Sequence, residues 1–424
     1  MDRTMSLFEG QATSERRTAT DMSIHLQFPS GICVGGEVLK GEVELEFPGV
    51  QKDKVQEVVV RLRGSAYARL KRSTNPGRNS GRRESIDVVK QDYHLWKRQR
   101  NNMPQGTQTL RIPFQFKLPP DAPPSCQISG RVNRRGKRYE AAVVYYIEVL
   151  AVRSGLFKKN RYLRRPLAVL PMDQVGAHIN EQIQSSGVAF PTRTREFRKK
   201  IRRGWLGRSA TVQVQKVSLP DLEAFPLFTR IPYAIKVTTT TKRMSYNTDL
   251  EDTGIKLFPP PPTRSTEVQF SLRRLTSLRA KTSKAKVSEH VANLGGLGRG
   301  DSKQHVDLEI AARRWNRHER KDGQGTWTQE TILKSFITLR CSPTFSTRVL
   351  DISYTMSIRV RFPGLGNNLS VSIPIHVTSG LSTGAQTNAS FTHSNHDLDL
   401  PPPYWNACEG WGVEDEEQGT PLSP

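Results

Sequence analysis

GEVLKGEVELEF (residues 36–47) and KVQEVVVRLRGSAYARL (residues 54–70) decide how this chain folds. In the first, Val43, Leu45 and Phe47 alternate with Glu42, Glu44 and Glu46. In the second, Val58, Val60 and Leu62 alternate with Glu57, Val59, Arg61 and Arg63. Period two places one row on each face of an extended strand, whereas a helix would scatter the apolar residues around its circumference. Both segments read as half-buried β-strands.

The same pattern recurs on either side. SIHLQF (23–28), TLRIPFQFKLP (109–119), YEAAVVYYIEVLAVRSG (139–155) and YLRRPLAVLP (162–171) complete a first block of about seven strands, the number a β-sandwich needs. The alternation restarts with TVQVQKVSLP (211–220) and FTRIPYAIKVTTTTK (228–242), and it continues through RVLDISYTMSIRVRF (348–362) and LSVSIPIHVTS (369–379). A strongly twisted open sheet rarely exceeds about ten strands, so two blocks of this size imply two sandwiches. The predicted fold is all-β: two consecutive antiparallel, immunoglobulin-like sandwiches over residues 23–171 and 209–380. The first carries a basic, mostly loop insertion at 71–108, in which IDVVKQDYHLW is a candidate strand. The second carries loop insertions at 243–264, with a four-proline run, and at 282–304, with a glycine cluster. Residues 1–22, a basic linker at 172–208 and a tail at 381–424 read as lacking a fold of their own.

Charge is divided unequally. The 424 residues carry a net +24, yet residues 381–424 contain seven carboxylates and no Lys or Arg, so the remainder carries +31. A basic body suits an anionic partner, and an acidic tail suits a separate task. No apolar run approaches the ~18 residues of a membrane span, and the N-terminus lacks the apolar stretch of a secretory signal. The expectation is a soluble, intracellular protein. Its four cysteines, Cys33, Cys126, Cys341 and Cys408, lie far apart with no CxxC, which points to neither a disulfide framework nor a zinc site.

Catalytic signatures are missing from the sequence: there is no GxSxG elbow, P-loop, HExxH or calcium-binding loop. Gly295–Gly300 does not match GxGxxG and follows no βα pattern, and the histidines are scattered. A binding protein without a cofactor is the reading. Within the tail, Leu400-Pro401-Pro402-Pro403-Tyr404 contains a PPxY motif, Pro401, Pro402 and Tyr404. Consecutive prolines pre-set the polyproline II conformation, and the rings with Tyr404 fit the aromatic-lined grooves of WW domains. The densest basic cluster, Arg193, Arg195, Arg198, Lys199, Lys200, Arg202 and Arg203, reads as a solvated linker, a nucleic-acid or anionic-lipid patch, or a surface for acidic or phosphorylated peptides. With no recognised nucleic-acid module beside it, nucleic acid is not the expected partner. Ser73, Ser85, Thr276 and Ser277 each follow a pair of basic residues, the arrangement basophilic kinases select.

Taken in order, these segments resemble a known family. LQFPSGICVGGEVLKGEVELEF with VVVRLRGSAYARL, then LPPDAPPS and YEAAVVYYIEVLAVRSG, look like an arrestin N-domain. SLPDLEAFPLFTRIPYAIKVTTTTK and RVLDISYTMSIRVRFPGLGNNLSVSIPIHVTSG are similar to an arrestin C-domain. With the PPxY tail, the chain resembles the α-arrestins, or arrestin-related trafficking adaptors, of fungal type. That resemblance implies a cytoplasmic adaptor without catalysis, recruited to the plasma membrane and endosomes. Its PPxY would engage the WW domains of a Nedd4-type HECT ubiquitin ligase, and its body would engage cytosolic tails of transporters or receptors, leading to their ubiquitination and endocytosis. An arrestin-fold coat or retrieval subunit in endosomal sorting, and a nucleic-acid-binding basic β-protein, are the alternatives. One PPxY where relatives often carry several implies no avidity through multiple WW domains.

Overall fold

A computed structural model describes residues 23–29, 31–71, 81–98, 108–132, 137–155, 159–185, 192–202, 209–247, 257–298, 304–318, 323–364, 366–382 and 412–413. The first unit contains β1 (Ile24–Gln27), β2 (Ile32–Val34), β3 (Val38–Glu46), α1 (Phe47–Lys52), β4 (Val55–Lys71) and β5 (Gly81–Lys97). It continues with β6 (Thr109–Lys117), β7 (Cys126–Arg131), β8 (Arg138–Arg153) and β9 (Arg161–Leu170). One sheet has the order β1-β3-β6, and the other runs β2-β9-β8-β4-β5 with β7 also on β8. The expected alternation is visible in the packing: Val43 and Leu45 of β3 are buried, as are Val58, Val60 and Leu62 of β4 and Tyr145, Ile147 and Val149 of β8. Val59, placed by its pattern on the outer row, is buried as well, beside a register shift between Val58 and Val59 in the β4–β5 ladder. A bulge of this kind breaks strict alternation by re-aiming one side chain.

Two glycines in these strands have a packing reason. Gly64 pairs in register with Tyr145, and a methyl group at Gly64 would lie 2.5 Å from the Tyr145 ring. Gly41 pairs with Phe114, and the same substitution there would meet that ring at 2.5 Å. Each sheet of the first unit thus lays one aromatic ring across a strand glycine, which explains the glycine inside VRLRGSA at the level of packing.

The chain then forms α2 (Gln174–Ser185), followed by the second unit: β10 (Thr192–Arg202), β11 (Ser209–Pro220), β12 (Phe225–Pro226), β13 (Ile231–Thr240), β14 (Met244–Ser245), β15 (Val268–Ala280) and β16 (Ser283–Asn293). β17 (Asp307–Ile310), β18 (Arg314–Arg317), β19 (Gln324–Ile337), β20 (Phe345–Ser346), β21 (Leu350–Arg361), β22 (Asn368–Ile375) and β23 (Val377–Thr378) complete it. Its sheets are β10-β11-β13-β19-β14, with β17 and β18 along β19, and β16-β15-β21-β20, with β22 along β21. β21 and β22 keep the clearest alternation, burying Leu350, Ile352, Tyr354, Met356, Ile358 and Val360 on one face. In the tail, β24 (Gly412–Val413) pairs with Arg161 and Tyr162 of β9. The all-β architecture of two sandwiches is the one the alternation demanded.

Several segments differ from their sequence reading. The insertion at 71–108 contains β5, a 17-residue strand, and the insertion at 282–304 contains the 11-residue β16. Both carry dense charge because they end their sheets, where one side of the strand faces water. The stretch 172–208 is not a bare linker. It holds α2, capped by Asp173, whose Oδ1 accepts from the Gly176 amide at 2.9 Å, and then β10. The proline run is partly packed: Pro259 and Pro262 are buried, and the Pro262 carbonyl accepts from the Thr331 hydroxyl at 2.9 Å. Among the described residues no helix is long and apolar enough to cross a membrane.

Candidate functional site

The basic cluster lies on β10, an edge of the second unit. Phe197 packs against the core and Ile201 is 1% exposed, while Glu196, Arg198 and Lys200 alternate with them on the exposed side. Lys199 lies on the inner row, yet its ammonium escapes burial by donating to the carbonyls of Gly366 (2.9 Å) and Asn368 (2.8 Å). That contact staples β10 to the loop before β22, in the opposite sheet. Arg198 is 3.9 Å from the Glu196 carboxylate, with both side chains largely in water, so the pair adds little to stability. Arg193, Arg195 and Arg202 are further positions of the same strand, and Arg203 falls outside the described residues. The signal missed in the sequence was the period-two row Phe197, Lys199, Ile201, hidden because its middle member is charged.

A second constellation joins the two units. Glu84 of β5 accepts from the Lys281 amide at 2.5 Å in the β15–β16 turn, where Lys281 has φ 56°, and lies 3.1 Å from Arg348. Arg82 reaches the Thr282 hydroxyl. Across the same junction the Tyr139 hydroxyl donates to Glu289 at 2.5 Å, and Glu289 also accepts from the buried Arg274 at 3.3 Å. No sequence pattern singles out these cross-unit partners, because they lie 150 or more residues apart and meet only when the sandwiches pack.

The four hydroxyls proposed for modification are dispersed relative to this junction. Ser85 is exposed on β5 beside Glu84, with Arg83 stacked over the Tyr67 ring on the neighbouring strand. Thr276 is fully buried in the middle of β15, between β16 and β21, so in the folded protein it presents no hydroxyl to a kinase; Ser277 is half-buried beside it. Both belong to β15, which lies between β16 and β21 in its sheet. Ser73 and the motif residues Pro401, Pro402 and Tyr404 lie outside the described residues.

Charge inside the first unit is neutralised locally. Glu148, 5% exposed on β8, accepts from Arg164 at 2.5 Å and from Arg61 at 3.4 Å, and Arg164 stacks over the Tyr146 and Tyr162 rings. Burial by itself would lower the Arg164 pKa, but the Glu148 hydrogen bond and charge outweigh it and the net shift is upward. Asp53 likewise pairs with Arg153 (3.4 Å) and Arg161 (2.7 Å). Such networks hold neighbouring strands in register. Cys33, Cys126 and Cys341 are buried thiols, and burial followed by the charge of Glu37 pushes Cys33 up to about 12, far from nucleophilic activation. Among the described residues no cluster of His, Cys, Asp or Glu is arranged to hold a metal ion.

Residues 22–175 match the family model described as Arrestin (or S-antigen), N-terminal domain. The match spans the whole first sandwich and stops at the start of α2. The first unit is an arrestin N-terminal domain. No curated protein matches the chain. The second unit lies outside the matched residues and is defined by its own strand order. Proteins with arrestin domains are generally non-catalytic adaptors.

Proposed function

We propose that this arrestin-fold protein is a non-catalytic trafficking adaptor. In this reading the PPxY segment, Pro401-Pro402-Pro403-Tyr404, recruits the WW domains of a HECT-type ubiquitin ligase, and the basic body engages cytosolic tails of membrane transporters or receptors. Ubiquitination and endocytosis of those proteins follow, with the adaptor acting from the cytoplasm at the plasma membrane and endosomes. The observation that carries the reading is the PPxY placed beyond the last strand of the second unit, on a chain whose first unit matches an arrestin domain. Proline-fixed backbone lowers the entropy lost on docking, so a short motif suffices for recognition.

A WW-domain pull-down with the full chain tests it. Wild type should be captured and Tyr404→Ala should not; equal capture of both would remove the ligase-recruiting half of the proposal. A coat or retrieval subunit would keep its trafficking activity in the Tyr404→Ala variant, which separates that alternative in cells.

A further inference from the structure

α2 leaves a groove open along one side. Val175, His178 and Ile179 share that side of the helix, and Asp221, Leu222 and Glu223, in the segment between β11 and β12, line the facing wall. The space between them is about 490 Å3, within the ~300–1,000 Å3 of ordinary binding clefts. Its floor is apolar: Ile179 is 8% exposed, Leu222 is half-buried, and Val175 beside them is left 47% exposed. A valine so exposed on the apolar face of an amphipathic helix gains free energy when another apolar group covers it.

The helix is held from its other side. Gly176 is buried against β23, where an added Cβ would stand 2.6 Å from the Thr378 hydroxyl, and the Thr229 hydroxyl donates to Asn180 at 3.0 Å. Both walls are therefore in place before any partner arrives, which reduces the ordering cost of binding. Their charge is opposite to that of the rest of the body. Residues 172–191 and 217–227 contain four carboxylates and no Lys or Arg, in a body of net +31. Asp173 caps the helix, whereas Asp221 and Glu223 are exposed at the rim of the groove. Segments of this chain that continue from α2 and from the second unit, residues 186–191 and 383–411, also contain no Lys or Arg, so neither supplies the complementary charge.

We propose that the groove between α2 and residues 221–223 binds a short segment of a partner protein in which an apolar side chain is flanked by Lys or Arg. The apolar group covers Val175, Ile179 and Leu222, and the cations meet Asp221 and Glu223. Burial supplies the affinity, and the carboxylates select against acidic competitors. The site is opposite in sign to the basic cluster on β10 and takes a different class of partner. It does not rest on the PPxY reading, so the Tyr404→Ala chain retains it.

The test pans a phage-displayed library of random twelve-residue peptides against the full chain, with counter-selection on the Val175→Ser, Glu223→Lys double variant. Both side chains are exposed, so thermal unfolding of the variant should match wild type. Enriched clones should carry Leu, Ile or Phe between Lys or Arg. Synthesised with a fluorophore and titrated by anisotropy, they should bind wild type saturably. Val175→Ser alone should weaken them about fivefold or more at any salt concentration, and Glu223→Lys about threefold or more, an effect that shrinks at high salt. Failure to enrich clones that distinguish wild type from the double variant would overturn the proposal. So would enrichment of acidic or uncharged clones, or binding indifferent to Val175→Ser, which would reduce the site to charge attraction. Sedimentation on the same preparations tests a second copy as the occupant: a wild-type dimer that dissociates in the double variant would also overturn it.

Discussion

Asp173 Oδ2 accepts a hydrogen bond from the Gly380 amide at 3.0 Å, tying the residue that caps α2 to the residue that ends the second sandwich. The contact is reinforced by the Asp173 amide, which donates to Leu381 at 2.7 Å, and by the Ser379 hydroxyl, which donates to Pro171 at 2.7 Å. The crossover between the units is thus closed by the segment that leads into the tail. Gly380 has φ +68°, a conformation L-residues rarely adopt, and the Pro226 ring carbon already stands 2.8 Å from where its Cβ would be.

Removing this clasp should cost measurable stability. Asp173→Ala loses a helix cap, about 1–2 kcal/mol, together with the acceptor of the Gly380 amide. Thermal unfolding should show a lowered Tm, and hydrogen exchange should accelerate across α2 ahead of the sandwiches. Unaltered exchange in α2 would contradict the assignment of Asp173 as its cap.

The glycine–aromatic pairs make a coupled prediction. Gly64→Ala should destabilise the first unit by about 1–3 kcal/mol through overpacking against Tyr145. In a double-mutant cycle, the cost of Gly64→Ala should shrink but not vanish when Tyr145 is replaced by Leu, because the ring atoms it strikes are gone while Val89 Cγ1 still stands 2.7 Å away. Additive effects in denaturant titrations would show that the ring contact is not the source.

Modification should follow exposure. In native protein treated with a basophilic kinase and ATP, mass spectrometry should find phosphate on Ser85 and none on Thr276, which is fully buried in β15. A phosphate on Ser85 sits next to Glu84, the residue gripping Lys281 and Arg348, and adds like charge there. Native phosphorylation of Thr276 would contradict the central placement of β15.

Alkaline pH should weaken the fold in a defined window. The Cys33 thiol is raised from 9.0 to about 12, first by burial and then by Glu37, so folding favours its protonated form. That contribution is complete below pH 9, where the unfolded thiol is also protonated, and is lost progressively between pH 9 and about 12. Tyr145 shifts upward by burial in the same sense, its hydroxyl donating to the Pro123 carbonyl at 2.7 Å. Denaturation midpoints should stay level up to pH 9 and decline above it, less steeply in Cys33→Ala. A thiol reagent at pH 8 should leave Cys33 unmodified in native protein. Rapid labelling there would refute its burial.

Alternation along residues 36–47 and 54–70, and its restart from residue 211, was enough to determine strands and sandwiches, because a half-buried strand must carry period two wherever one face meets the core and the other meets water. Composition likewise determined that charge is split between body and tail, and the PPxY is readable as a linear motif whatever the fold around it. Local pattern failed where the two faces are not distinguished by polarity. β10 holds a lysine on its inner row because carbonyls of Gly366 and Asn368 receive it, β15 carries Thr276 into the core between two strands, and α2 presents few apolar residues. Only the tertiary structure decided those placements, together with the junction of Glu84 and Glu289 and the clasp of Asp173 on Gly380. These partners are brought together by packing across distances of 150 residues and more, and no local preference of the chain encodes that meeting.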